Sequence, residues 1–189
     1  LGWLCLQFGW DRLLGQLLGY PDCCADAFDQ RWSVAVREHQ GDLAPLTLAA
    51  SGPPPFDWSS NIFARYFGAA LIQHFPCRFQ CPASAIAATR TAWALEQFEP
   101  EQFAALRSLL QAPVLYTETQ GVVLFRGARV RERGRELELE YDAESLLSTE
   151  PASPLTQALS QGAAVHWGAG QDHCHIGGRA FDGRLAWFH

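Results

Sequence analysis

The sequence predicts an α+β fold, in which a helical N-terminal portion packs with a small antiparallel β-sheet in the C-terminal portion. Up to residue 112, apolar residues recur at helical spacing, and Pro21, Pro82 and Pro100 suit the first position of a helix. Beyond that point the pattern changes to short apolar runs typical of strands. We therefore expect residues 1–112 to form the helical portion and residues 113–189 a small α/β portion, together one compact unit.

Composition limits the classes of function. The chain has 189 residues, 48% of them hydrophobic and 18% charged, which is enough apolar content for a buried core. Its net charge of -6 gives no electrostatic reason to expect nucleic acid or an anionic membrane as a partner. All 14 basic residues are arginine, which excludes a lysine Schiff base and a lysine-bearing phosphate loop. Methionine is absent, so we expect the natural start to be missing, and we expect a cytoplasmic protein.

The helical portion divides at its glycines and prolines. We predict helices over residues 11–18, from Pro21 to about Glu38, from residues 59–61 to Gln73, over 82–98, and from Pro100 onward. Residues 41–55 contain four prolines and two glycines, which predicts a loop.

The C-terminal portion should contain strands at 114–117, 122–126, 163–167 and 184–188, with a short helix at 155–160. A hairpin with a two-residue turn at Arg133-Gly134 would set Arg131 opposite Glu136 and Arg129 opposite Glu138. One face would then hold ion pairs and the other apolar residues. This pattern favours a solvated strand face over a nucleic-acid patch.

Two segments concentrate the candidate chemistry. They are Gly-Tyr-Pro-Asp-Cys-Cys at 19–24 and His-Phe-Pro-Cys-Arg-Phe-Gln-Cys-Pro at 74–82. Each places cysteines at or just before the start of a helix opened by proline, where free N–H groups and the helix dipole favour thiolate over thiol. Thiolate is the form that binds metal, so we predict one thiolate-rich metal site made of Cys23, Cys24, Cys77 and Cys81.

The spacing also bears on the metal. Neither segment has the C-x2-C knuckle of common zinc modules, and adjacent cysteines on a helix start should point in different directions. Such a pair of cysteines can bind two different iron atoms of a cluster more easily than it can bind one tetrahedral ion. The sequence therefore favours a [4Fe–4S] iron–sulfur cluster, with zinc as the alternative. Three cysteines would leave one iron open, and His74 would then be a fourth ligand or a nearby acid/base.

Two other interpretations of the four cysteines remain open. They could pair as disulfides between the segments or serve as redox thiols, since a bond between Cys23 and Cys24 would be strained. They could also be unrelated core residues, because Cys24 lies on an apolar helical stripe. We expect Cys5 and Cys174 to be ordinary buried cysteines.

The paired segments resemble the signatures of an uncharacterised prokaryotic family in which G-[YF]-P-x-C-C and H-F-P-C-x3-C occur together. The first motif corresponds here to residues 19–24 and the second to residues 74–81. The resemblance covers about the first half of the chain. It implies a shared site at these cysteines rather than a particular reaction.

Three functions fit these patterns. An enzyme would use the metal or cluster in redox or sulfur chemistry, with His74 and Arg78 as candidate catalytic residues, Arg78 binding a small anionic substrate, and a pocket lined by both and by aromatics. A structural zinc module would have a closed site, with the C-terminal sheet free to bind a protein partner. A disulfide-stabilised exported protein would not be an enzyme and would hold no metal.

A second histidine-rich stretch, Asp172-His173-Cys174-His175, lies between glycines near the C-terminus. On a strand, His173 and His175 would lie on one side, a spacing used by metal sites. The flanking glycines favour a flexible surface loop with solvated histidines.

Overall fold

The structure is a computed structural model that describes residues 2–134, 136–168 and 173–189. The helices are α1 (Gly2–Phe8), α2 (Asp11–Leu17), α3 (Asp22–Glu38), α4 (Ala44–Ala49), α5 (Pro82–Phe98), α6 (Pro100–Leu110) and α7 (Pro154–Ser160). The strands are β1 (Val114–Tyr116), β2 (Val122–Phe125), β3 (Arg129–Arg133), β4 (Glu136–Glu140), β5 (Leu146–Ser148), β6 (Val165–Gly168), β7 (His173–Ile176), β8 (Arg179–Asp182) and β9 (Arg184–Ala186). The predicted α+β class is confirmed. Within the described ranges, no helix is long and apolar enough to cross a membrane.

Proline marks the start of the long helices, as the sequence predicts. Pro82 and Pro100 occupy the first turns of α5 and α6, and Pro21 directly precedes α3. The missing N–H of proline costs nothing at these positions, and its fixed φ suits a helix start. The bounds of α3 and α5 therefore lie within one residue of those predicted.

Two predictions within residues 41–73 are wrong. The expected loop contains α4, because the Asp42 carboxylate accepts a hydrogen bond from the Ala44 N–H (2.9 Å) and stabilises the start of a helix. The expected long helix is replaced by two 3₁₀ turns, Trp58–Ser60 and Phe63–Phe67. Asn61 separates the turns, since its side chain donates to the Leu110 carbonyl (2.8 Å) and accepts from the Phe63 N–H (3.0 Å).

The strands form two antiparallel sheets where the sequence predicts one. The first has the strand order β5-β2-β1-β9 and the second β3-β4-β6-β7-β8. The first sheet is buried on both faces, because alternate residues of β1 enter different cores. Val114 and Tyr116 face a core shared with the helices, whereas Leu115 packs in a second core with α7 and the five-stranded sheet. The four-stranded sheet is thus the middle layer of the molecule.

The hairpin of β3 and β4 is present, but its register differs from the predicted one. Arg131 pairs with Glu138 and Arg133 with Glu136, so the connection lies between residues 133 and 136. The partner of each residue moves by two positions, which leaves every side chain on its predicted face. Arg131 forms an ion pair with Glu140 (2.8 Å) and Arg133 with Glu138 (2.5 Å), and both pairs are diagonal across the strands.

A carboxylate joins the helical portion to the central sheet. Asp42, just after α3, accepts hydrogen bonds from the Tyr66 hydroxyl (2.6 Å) and from the Tyr116 hydroxyl of β1 (2.9 Å). Burial, together with the neighbouring Asp42 carboxylate, raises the pKa of both tyrosines, so both remain protonated donors. These bonds fix the connection between α3 and α4 against the core, while the N-terminal end of α3 carries two of the candidate cysteines.

Candidate metal centre

The first cysteine pair lies in the first turn of α3. Gly19 adopts a positive φ (75°) after α2, a conformation that permits the sharp change of direction before Pro21. The Cys24 N–H then donates to the Pro21 carbonyl (2.9 Å), which closes the first turn of the helix. Cys23 and Cys24 therefore lie where the free N–H groups and the dipole of α3 favour a negative charge.

The second pair lies on the loop that leads into α5. Between Cys77 and Cys81, the side chain of Phe79 is only 1% exposed and stacks on Phe56 at a centroid distance of 4.7 Å. This anchor forces the chain to turn, and the Cys81 N–H donates to the Arg78 carbonyl (3.0 Å). Cys81 directly precedes α5, so the loop presents both sulfurs on the side facing α3.

Polar contacts from other elements hold this loop. The Thr47 hydroxyl of α4 donates to the Pro76 carbonyl (3.2 Å), and the Ser51 hydroxyl accepts from the Phe79 N–H (2.8 Å). From α3, the Arg31 guanidinium donates to the Cys77 carbonyl (2.9 Å). These bonds satisfy backbone groups that a short irregular loop would otherwise leave unpaired.

The two segments bring all four sulfur atoms together, as the sequence predicts. The Sγ atoms lie 3.9 Å apart for Cys23 and Cys24, 3.6 Å for Cys23 and Cys81, and 3.7 Å for Cys24 and Cys81. Together with Cys77, all four lie within 4.8 Å of one another, an arrangement compatible with a metal site. Cys24 and Cys81 are buried, Cys77 is half-buried, and Cys23 is exposed. All six cysteines of the chain are unbonded.

The environment disfavours ionisation of Cys24 and Cys77 but favours that of Cys81. Burial raises the pKa of Cys24, and burial together with the neighbouring thiols raises the pKa of Cys77 to about 11. Burial also acts to raise the pKa of Cys81, but hydrogen bonds from Ser84 and from the other thiols outweigh it and lower the pKa to about 7. A bound cation would offset the electrostatic repulsion between several thiolates at such short distances.

Ser84 connects the sulfurs to His74. The Ser84 hydroxyl oxygen lies 3.2 Å from Cys24 Sγ and 2.8 Å from His74 Nε2. When Cys24 is a thiolate, the hydroxyl must donate to sulfur, and its oxygen then accepts from the Nε2–H of His74. Burial, assisted by the charge of Arg65, lowers the pKa of His74 to about 4, so the ring is neutral at pH 7.

An apolar groove of about 450 Å³ borders the centre on the side of α2 and α3. Cys24 and His74 form part of its wall, so the groove and the cysteine cluster share a boundary. The remaining wall is mostly aliphatic and aromatic: Leu14, Leu18, Tyr20, Phe28, Trp32 and Phe75. The sequence predicts a pocket beside the cysteines lined by His74, Arg78 and aromatics, and the wall of this groove contains His74 and aromatics but not Arg78.

The two candidate catalytic residues are placed differently. His74 is buried beside the cluster, although the group of possible metal ligands contains the four cysteines and not His74. Arg78 is exposed on the cysteine loop and does not line the groove. A catalytic role for either residue, and an anionic substrate at Arg78, stay predictions.

The C-terminal histidines belong to a strand rather than to the expected loop. His173 and His175 lie on one face of β7 with ring centroids 5.7 Å apart, and Cys174 points into the second core. Burial raises the pKa of Cys174 to about 12, which agrees with an ordinary buried cysteine. Among the described residues, only the four cysteines form a group of three or more possible metal ligands. Asp172 lies outside the described residues.

Sequence reasoning missed two residues that support the centre. Ser84 follows Cys81 by three positions, so the start of α5 at Pro82 places both on one face of the helix. That spacing could have identified it. Arg31 lies two turns along α3 from Cys24, and nothing in the sequence indicates that it reaches the carbonyl of Cys77.

Comparison with protein-family models, with curated proteins and with solved structures finds no match to this chain. The resemblance to the two-motif family therefore stays a prediction.

Metal affinity should fall steeply in acid. Metal binds thiolate, so each thiol that is protonated in the free protein must release its proton on binding. Below pH 6, Cys24, Cys77 and Cys81 are all protonated, since the lowest pKa among them is about 7. Between pH 5 and pH 6 we expect affinity to rise at least about 1,000-fold, a factor of about ten for each of these three thiols. Competition with a chelator of known affinity measures this slope, and a rise below about tenfold would contradict the shared site.

Removing the hydroxyl in Ser84→Ala should weaken metal binding by about tenfold, the lower end of the range for residues that support a ligand. The change deprives Cys24 of a hydrogen bond and leaves His74 Nε2 without its partner. Thr91→Ala, an exposed hydroxyl later on α5, is the matched control and should bind metal like the unaltered chain. Equal affinities for the two variants would show that Ser84 does not support the centre.

Proposed function

We propose that the chain is a zinc protein in which Cys23, Cys24, Cys77 and Cys81 bind one tetrahedral Zn²⁺ ion. The main support for this proposal is the separation of the sulfur atoms. With Zn–S bonds of about 2.3 Å, the edges of a tetrahedron measure about 3.8 Å. The separations of 3.6, 3.7 and 3.9 Å match this edge, and the remaining ones do not exceed 4.8 Å.

The same distances argue against the iron–sulfur cluster that the sequence favours. In a [4Fe–4S] cluster each cysteine binds a different iron atom, so the four thiolates surround a body of eight atoms. Sulfurs within 4.8 Å of one another would have to move apart to surround that body. A single ion needs smaller changes, because three of the separations are already close to the tetrahedral edge, and this supports zinc over the cluster.

A structural role is favoured over a catalytic one for the ion itself. Four thiolates complete the coordination of zinc, whereas catalytic sites keep a position open for water or substrate. The ligands come from the start of α3 and from the loop before α5, two segments more than fifty residues apart in sequence. Zinc would therefore join these segments and hold the wall of the adjoining groove in place.

The test is metal and acid-labile sulfide analysis on protein purified without oxygen. We expect about one zinc per chain and no sulfide, since four thiolates hold a single ion. Replacing the purified metal with Co²⁺ should produce the intense visible bands of a tetrahedral thiolate site.

A pair of variants controls for general effects of losing a cysteine. Cys77→Ser should lose the zinc, and Cys174→Ala, a buried cysteine in the second core, should keep it. About four iron and four sulfide per chain would overturn zinc in favour of the cluster. A metal-free protein whose four thiols stay free in the presence of Zn²⁺ would overturn both.

A further inference from the structure

The groove beside the centre has the size and lining of a small-molecule site. Its volume of about 450 Å³ lies within the range typical of ligand pockets, roughly 300–1,000 Å³. Phe28 and Trp32 stack along one wall with ring centroids 5.2 Å apart and nearly parallel planes, and Tyr20 packs against His74 at a centroid distance of 5.2 Å. Flat aromatic walls favour a ligand with a ring, and their faces attract cations.

Among the described residues, those that line the groove carry charge of one sign. Asp11, at the start of α2, is the one acidic lining residue, and no arginine lines the groove. Arg65 is outside the lining, where its guanidinium lies over the Phe75 ring and donates to the carbonyls of Ile72 and His74. The neighbouring Asp26 is paired with Arg12. Within the described part of the chain, the side chain of Asp11 has neither a hydrogen bond nor an ion pair. An unpaired carboxylate next to aromatic walls is suited to a cationic group of a ligand.

The metal centre adds to this negative potential, a step that rests on the proposed zinc site. Four thiolates around Zn²⁺ carry a net charge of about −2. Cys24 belongs both to the centre and to the groove wall, so this charge lies at the groove itself. In a partly desolvated groove, repulsion between like charges weakens the binding of an anionic ligand.

We propose that the groove binds a small arylalkylamine, a compound with an aromatic ring and a primary ammonium group. The ring packs against the aromatic walls, and the ammonium group pairs with the Asp11 carboxylate. The zinc ion takes no part in a reaction. It fixes the wall at Cys24 and contributes charge that selects amines over acids.

Three probes that share a 2-phenylethyl group test whether the groove selects amines: 2-phenylethylamine, 2-phenylethanol and 3-phenylpropionate. Titration of the zinc-loaded protein, followed by calorimetry and by the fluorescence of Trp32 and the other tryptophans, gives each affinity. We expect the amine to bind about tenfold more tightly than the alcohol, the value of one charge-assisted hydrogen bond, and the acid to bind more weakly than either.

Two substitutions locate the site. Asp11→Asn should reduce amine affinity to about that of the alcohol while leaving the alcohol unaffected. Asp29→Asn removes the same charge from an exposed position on α3 outside the groove, and it should leave amine binding unchanged. Equal losses in the two variants would attribute the effect to overall charge and overturn the proposal.

The outcomes separate this inference from the zinc proposal. Zinc content is measured on every sample, and amine binding is measured both with zinc and after its removal. Zinc-loaded protein that binds no amine, or that prefers the acid, overturns the inference and leaves the zinc site intact. Binding of an apolar peptide in preference to all three probes would likewise overturn it, since the groove would then be a protein-docking surface. Amine binding that depends on Asp11 in a protein that takes up no zinc supports the groove and contradicts the zinc proposal.

Discussion

Four sulfur atoms within 4.8 Å of one another impose an electrostatic constraint on the whole helical portion. Two of the sulfurs are buried, so water cannot screen their charges, and ionising them together is costly without a cation. The surrounding structure is arranged to keep them close nonetheless. Phe79 anchors one segment in the core, and Arg31 donates a hydrogen bond from α3 to that segment. The bonds of Asp42 hold the chain that follows α3. A bound ion would turn repulsion among the sulfurs into a link between the start of α3 and the loop before α5.

The residues of the site could be predicted from the sequence, because the signals are local. Pro21 and Pro82 mark the helix starts, and cysteines next to a helix start are suited to exist as thiolates. The distance between the segments could not be predicted, since it depends on packing across more than fifty residues. Adjacent Cys23 and Cys24 were expected to diverge, which favoured a cluster. In the structure their sulfurs lie 3.9 Å apart, and both can reach one ion.

Elsewhere, the predictions that are wrong depend on long-range contacts. Asn61 interrupts a helical pattern because its side chain bonds the carbonyl of Leu110, a contact that periodicity does not reveal. In the β3–β4 hairpin each side chain lies on its predicted face, but its partner on the other strand differs from the predicted one by two residues. Alternation determines the face of each strand residue, whereas the register depends on where the chain turns.

X-ray absorption spectroscopy at the zinc edge reports the ligands of the ion in the intact protein, and so shows whether all four cysteines bind one zinc. We expect a single shell of four sulfur atoms at about 2.3 Å. Ligand sets that mix sulfur with nitrogen or oxygen would contradict it, as would a sample whose metal is iron with neighbouring iron atoms.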